Sequence, residues 1–97
     1  MRIIIQKFGG TSLTTEKERR QAVRKVLQAK KQGFEVVCVV SAMGRAPSPY
    51  ATDTLLSLLD ADIARTMPAE RDLLLACGEV ISAVVFAGLL RAADVPS

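Results

Sequence analysis

The sequence predicts an α/β fold built on a parallel strand–helix–strand unit, and three observations predict it. Two short runs, Arg2–Phe8 and Glu35–Val40, are rich in Ile and Val, as buried strands of a parallel sheet are. Between them lies a stretch with apolar residues at helical spacing. Each run leads into a glycine-containing turn, Gly9–Ser12 after the first and Ser41–Gly44 after the second. Such a unit is a right-handed crossover between parallel strands, and because the strands are parallel both turns emerge at the carboxyl edge of the sheet, where open α/β folds bind ligands. The two turns are therefore expected to face one site.

Composition narrows the class. Ninety-seven residues make one small domain or part of a larger one, and 49% hydrophobic content is too apolar for disorder. The formal charge of +3 gathers in the first helix, at Arg19, Arg20, Arg24, Lys25, Lys30 and Lys31, as on a solvated face. Nucleic-acid binding needs a basic patch interleaved with aromatics, and the chain is only 4% aromatic with no Trp. The absence of histidine rules out a Ser-His-Asp triad, a Cys-His pair or a His-based zinc site within the chain. Phosphoryl transfer survives, because positioning and electrostatics do most of its work. Cys38 and Cys77 are isolated, with no C-x-x-C and no signal peptide, so they read as small buried hydrophobes of a cytoplasmic protein. The longest uncharged apolar run, Val80–Leu90, is too short to span a bilayer and is assigned to a core or interface.

In chain order, Ile3-Ile4-Ile5 suggests a strand buried on both faces. The turn Lys7-Phe8-Gly9-Gly10-Thr11-Ser12 follows, and a glycine turn between strand and helix can aim backbone N–H groups at an anion. Two glycines let a ligand approach the bare backbone, Lys7 adds a mobile charge, and Thr11 and Ser12 add hydroxyls. A plain turn is the competing reading. Thr15-Glu16-Lys17-Glu18 matches a capping box, with Ala22, Val23, Val26, Leu27 and Ala29 as the apolar stripe behind it. Lys30 and Lys31 suit the helix's negative end, and Gly33 its stop.

After the second strand and Ser41–Gly44, the prolines of Arg45–Ala51 predict an exposed loop, either a lid or a plain connection. Thr52 is expected to cap a second helix with its face at Leu55, Leu56, Leu59 and Ile63. Pro68 fits the first position of a third helix. There Leu73, Leu74, Cys77, Ile81, Val84, Val85 and Gly88 follow one face, but Leu75, Val80, Phe86 and Leu89 spread around the others. A helix apolar on nearly all sides needs more cover than two strands and two helices provide. Within it Glu79 follows Gly78 in apolar surroundings, which predicts either an ion pair inside the fold or a ligand ammonium group as its counter-ion.

Three segments together resemble the aspartate kinases of the amino acid kinase superfamily: Lys-Phe-Gly-Gly-Thr-Ser at 7–12, Val-Val-Ser-Ala-Met-Gly at 39–44 and Cys-Gly-Glu at 77–79. Tyr50–Leu56 looks most like the Bacillus-type members. The resemblance covers the whole chain and implies a three-layer α/β/α sandwich with a mostly parallel sheet, here incomplete. It implies transfer of the γ-phosphoryl group of ATP, with Mg2+, to the β-carboxylate of L-aspartate, opening the route to lysine, threonine, methionine and diaminopimelate. Carried onto this chain, Lys7 neutralises charge on the transferring group, and Lys7, Phe8, Gly9, Gly10 and Ser41 line the ATP phosphates. Ser41, Thr52 and Glu79 hold aspartate, Glu79 by its amino group. No site residue is expected to bind a metal directly, and neither nucleic acid nor membrane is an expected partner.

The resemblance also implies parts that these 97 residues lack: the later Gly-Arg-Gly-Gly-Ser-Asp-like loop, the adenine-binding segment and regulatory ACT domains. The expectation is an N-terminal part of a catalytic domain, inactive alone, and either homo-oligomeric or dependent on the C-terminal regions. A superfamily kinase with another acceptor, and a non-catalytic anion-binding module that docks on a partner, are the alternatives.

Overall fold

The computed structural model describes all 97 residues. β1 (Arg2–Phe8) and β2 (Phe34–Val40) form a two-stranded parallel sheet, in register from Arg2 opposite Phe34 to Phe8 opposite Val40. The crossover between them is α1 (Glu16–Lys31). Its N-terminus carries the reciprocal cap that the sequence predicts. The Glu18 N–H donates to Thr15 Oγ1 and the Thr15 N–H to Glu18 Oε2, both at 3.2 Å. Gln32 closes the helix and Gly33 follows with φ +87°, a left-handed conformation that glycine adopts without a steric penalty.

Phe8, Leu13, Ala22, Val23 and Val26 form the core with Phe86, Leu90 and Val95, and the Phe8 and Phe86 rings lie 5.4 Å apart. All of this cover lies on one face of the sheet. Side chains alternate along a strand, so Ile3, Ile5, Val37 and Val39 point the other way and are 44–69% exposed. The expectation of strands buried on both faces is corrected: two of the three layers of an α/β/α sandwich are present.

The expected second helix is two. α2 (Thr52–Leu56) ends where Ser57 Oγ donates to the Thr54 carbonyl at 2.6 Å, and Asp60 then caps α3 (Ala61–Thr66) by accepting from the Asp62 N–H at 2.9 Å. Asp60 competes with helix continuation by offering the backbone a new start. Thr52 is the first helical residue and not the cap, a position held by Ala51 without any side-chain bond.

α4 (Pro68–Ala92) opens with Pro68 at its first position, as expected. Its 25 residues make it long and apolar enough, by length and composition alone, to cross a bilayer, which Val80–Leu90 by itself is not. Here it buries the i, i+4 stripe Gly78, Ser82, Phe86 and Leu90. The sequence favours a different stripe, and that assignment is corrected: Leu73 and Val84 are 71% and 68% exposed. Cys77 is exposed as well, with Sγ 3.3 Å from the Leu73 carbonyl, so only Cys38 is partly buried, and its burial raises the thiol pKa.

Candidate functional site

The chain leaves β1 at Phe8 and closes a 3-10 turn over Gly10–Ser12, with Ser12 N–H donating to the Gly9 carbonyl and Leu13 N–H to that of Gly10. The turn leaves the N–H groups of Gly9, Gly10 and Thr11 with no acceptor in the chain. Three adjacent free donors make a concavity suited to an anion. The N-terminus of α1 contributes no residue to the pocket lining, and its Glu18 N–H is already taken by Thr15 Oγ1.

The second turn is tied to the first. Ser41 N–H donates to the Phe8 carbonyl at 3.2 Å, and Gly44 N–H to that of Gly10 at 3.0 Å. Gly44 has φ +81°, and a Cβ there would meet Ser48 Oγ at 2.5 Å, so the close turn needs glycine. The Arg45–Ala51 loop is pinned by two bonds, Ser48 N–H to the Arg45 carbonyl at 2.7 Å and Ala51 N–H to the Ser48 carbonyl at 3.2 Å. Ala51 is fully buried, and Thr52 follows it into the site.

Gly9, Gly10, Thr11, Ser41, Ala42, Gly44, Arg45, Thr52, Asp53 and Glu79 together line a pocket of about 360 Å³. Both strand-to-helix turns thus face one site, and α4 contributes Glu79 to it. The carboxylate is exposed and not buried among apolar groups, which corrects the sequence expectation, and it makes no ion pair within the fold. Asp53 and Arg45 are unpaired too. Unpaired charges of both signs, with three hydroxyls and bare N–H groups, suit a ligand that carries both an ammonium and anionic groups.

Lys7 and Phe8 fall outside the lining. Phe8 points into the core at 6% exposure, so only its main chain serves the turn. Strand alternation then turns Lys7 to the open face of the sheet, exposed and without an ion pair. The sequence reading missed Arg45 and Asp53 as lining residues, although each adjoins a residue that it singled out. A second cavity, of about 290 Å³, lies between α1, the free edge of β2 and α4. Nine of its 13 lining residues are hydrophobic and its charged residues are Lys30 and Glu35, so it lacks a convergent polar set.

A profile of the Amino acid kinase family matches residues 2–97. The chain belongs to that family. Aspartokinase 1 of Bacillus subtilis (strain 168) is 54% identical to it over 90 residues, which are 93% of this chain and 22% of that protein. Aspartokinase of Geobacillus stearothermophilus is 37% identical over 87 residues, 90% of this chain and 20% of that protein. A crystal structure of aspartate kinase from Synechocystis superposes with a TM-score of 0.82 at 33% identity, covering 95% of this chain and 15% of that one. The chain spans about a fifth of the length of the two curated relatives. The family resemblance carried by residues 7–12, 39–44 and 77–79 holds, as does the incomplete α/β fold. In this amino acid kinase chain the three motifs, far apart in sequence, contribute Gly9, Gly10, Ser41 and Glu79 to one pocket.

Proposed function

We propose that these residues are the N-terminal part of the catalytic domain of an aspartate kinase. The reaction moves the γ-phosphoryl group of MgATP to the β-carboxylate of L-aspartate. A carboxylate oxygen attacks the γ-phosphorus, the bond to the β–γ bridging oxygen breaks, and ADP leaves with 4-phospho-L-aspartate as product. The acceptor is already an anion at neutral pH, so no general base is needed, in keeping with a chain that has no histidine. The observation that carries the reading is the pocket itself, where the free N–H groups of Gly9–Thr11 and the unpaired Glu79 line one space.

In this reading the Gly9 and Gly10 N–H groups hold phosphate oxygens, and the Lys7 ammonium swings in from the sheet edge on its flexible stem to neutralise the transferring group. Ser41 lies where phosphate and aspartate meet. Thr52 and Glu79 hold aspartate, Glu79 by its ammonium. Mg2+ would accompany the nucleotide as substrate and offset its phosphate charge, with no residue of this chain proposed as its ligand. The names and lengths of the relatives support both the acceptor and a need for further parts of the domain. We place the protein in the cytoplasm, at the head of lysine, threonine, methionine and diaminopimelate synthesis, as a homo-oligomer or in dependence on C-terminal regions.

The test is a chimera in which these residues replace the matching stretch of the Bacillus subtilis relative. It is assayed for aspartyl-hydroxamate with MgATP, L-aspartate and hydroxylamine. Product that depends on Lys7 supports the proposal, and a folded chimera that makes none overturns it. The 97 residues alone are expected to make no product.

A further inference from the structure

Three of the pocket's polar side chains are next in sequence to a buried residue with at most one side-chain carbon. The pairs are Ser41 with Ala42, Thr52 with Ala51, and Glu79 with Gly78. Ala42 is 5% exposed and Ala51 0%. The small partners converge on one point of α4. A Cβ built on Gly78 would lie 2.9 Å from the Tyr50 carbonyl oxygen, 3.0 Å from Leu55 Cδ1 and 3.1 Å from Ala42 Cβ.

We propose that Gly78 is a positioning residue: its missing side chain lets α4 seat against Ala42 and Tyr50–Ala51, and that contact sets the spacing of Ser41, Thr52 and Glu79. The Tyr50 carbonyl cannot yield as a flexible side chain would. The next residue, Ala51, is anchored on both sides, by its N–H to the Ser48 carbonyl and by its own carbonyl to the Leu55 N–H at 2.9 Å. Any shift that makes room for a Cβ therefore carries Thr52 with it. Ala42 is likewise joined to Ser41, whose N–H is fixed to Phe8. On α4 itself Glu79 follows Gly78 directly, so the same displacement alters its distance from both loops.

Gly88 is the internal control. It lies in the same helix, and a Cβ there would meet nothing within 4 Å. Helix propensity favours alanine over glycine at both positions alike, so a difference between the two substitutions isolates the packing at Gly78. The ligand part of the inference rests on reading Ser41, Thr52 and Glu79 as the aspartate end of the pocket, while the geometric part stands without it.

The experiment compares the 97-residue chain with Gly78→Ala and Gly88→Ala by backbone amide NMR, and titrates the same two substitutions, made in the Bacillus subtilis chimera, with L-aspartate and with inorganic triphosphate. In Gly78→Ala the amide resonances of residues 41–44 and 50–53 are expected to move, and in Gly88→Ala to stay. L-Aspartate affinity should fall about tenfold or more in Gly78→Ala, and triphosphate affinity by less than about twofold, because only the aspartate end is displaced. Unmoved loop amides in Gly78→Ala overturn the inference, and so does an equal loss of both ligands, which marks a general packing role. If the unsubstituted chimera folds but binds no L-aspartate, the aspartate reading fails, and the positioning inference is decided by the amide pattern alone. Should Gly78→Ala not fold, Ala42→Ser crowds the same junction from the loop side and is judged by the same two criteria.

Discussion

The N–H of Gly44 donates to the carbonyl of Gly10 at 3.0 Å, so the two turns that build the pocket are bonded directly to each other. A Cβ on Gly10 would lie 2.7 Å from the Ala42 carbonyl oxygen and 3.0 Å from that of Gly44. Both contacts are with backbone that cannot rotate away. Gly10→Ala is therefore expected to destabilise the chain by about 1–3 kcal/mol, the usual cost of forcing extra volume into a packed junction. Gly9 is the contrast, because a Cβ there meets nothing within 4 Å and its φ of −72° suits any residue. Gly9→Ala should leave stability within about 0.5 kcal/mol of the parent. Urea denaturation of the two variants checks this, and equal losses would refute it.

Thr15→Ala should cost about 0.5–2 kcal/mol, because Thr15 Oγ1 is the acceptor for the Glu18 N–H at the start of α1. Glu18→Ala removes the other half of the same cap. The two losses should not add, since each substitution breaks one reciprocal arrangement. A double-mutant cycle in urea reads the coupling, and full additivity would show that the two bonds act independently.

That cap was legible in the sequence, as were Gly33 and Pro68, because each depends only on residues within one turn of helix. What depended on packing was not. The stripe of α4 that faces the core was hidden because Gly78 and Ser82 make it less apolar than the one the spacing favours, and only the approach at Gly78 and the Phe8–Phe86 contact select it. The break between α2 and α3 was hidden because Leu55, Leu56, Leu59 and Ile63 keep helical spacing across it, while the Asp60 cap overrides that spacing. In the site, the meeting of the two turns at one sheet edge followed from the parallel strand–helix–strand topology alone. Arg45 and Asp53 needed the folded loop to reach the pocket, and Lys7 and Phe8 were separated from it by strand alternation, which the motif taken as a unit obscures.

The two cysteines should respond differently to thiol reagents. Burial raises the Cys38 pKa by desolvation, leaving it less thiolate at a given pH, whereas Cys77 is exposed. Cys77 should therefore react first with a chromogenic disulfide under native conditions, and Cys38 only on unfolding or at higher pH. The raised pKa also fixes the sign of a pH effect on stability. The folded state holds the Cys38 proton more tightly than the unfolded state, so its contribution is fully present below the ordinary thiol pKa and is lost as pH rises through the folded value. Cys38→Ala should flatten that alkaline decline. An unchanged slope would place its origin elsewhere.

Glu79 separates binding from stability most cleanly. Its carboxylate is exposed and has no partner in the fold, so Glu79→Gln should change unfolding free energy by less than about 0.5 kcal/mol. If the carboxylate receives an amino-acid ammonium, the same substitution replaces a charge-assisted hydrogen bond by a neutral one. L-Aspartate affinity should then fall by roughly tenfold or more, from a bond worth about 1.5–3 kcal/mol. Arg45 supplies the opposite test, as the only cationic side chain lining the pocket. Arg45→Gln should weaken inorganic triphosphate more than L-aspartate, and the difference should shrink as salt screens an exposed charge. Calorimetric titration of both variants with both ligands, at low and high salt, gives a crossed pattern if the pocket has an ammonium end and a phosphate end. Parallel losses in the two variants would mean that the charges act only through the net potential of the pocket, and the division between Glu79 and Gly9–Thr11 would fall.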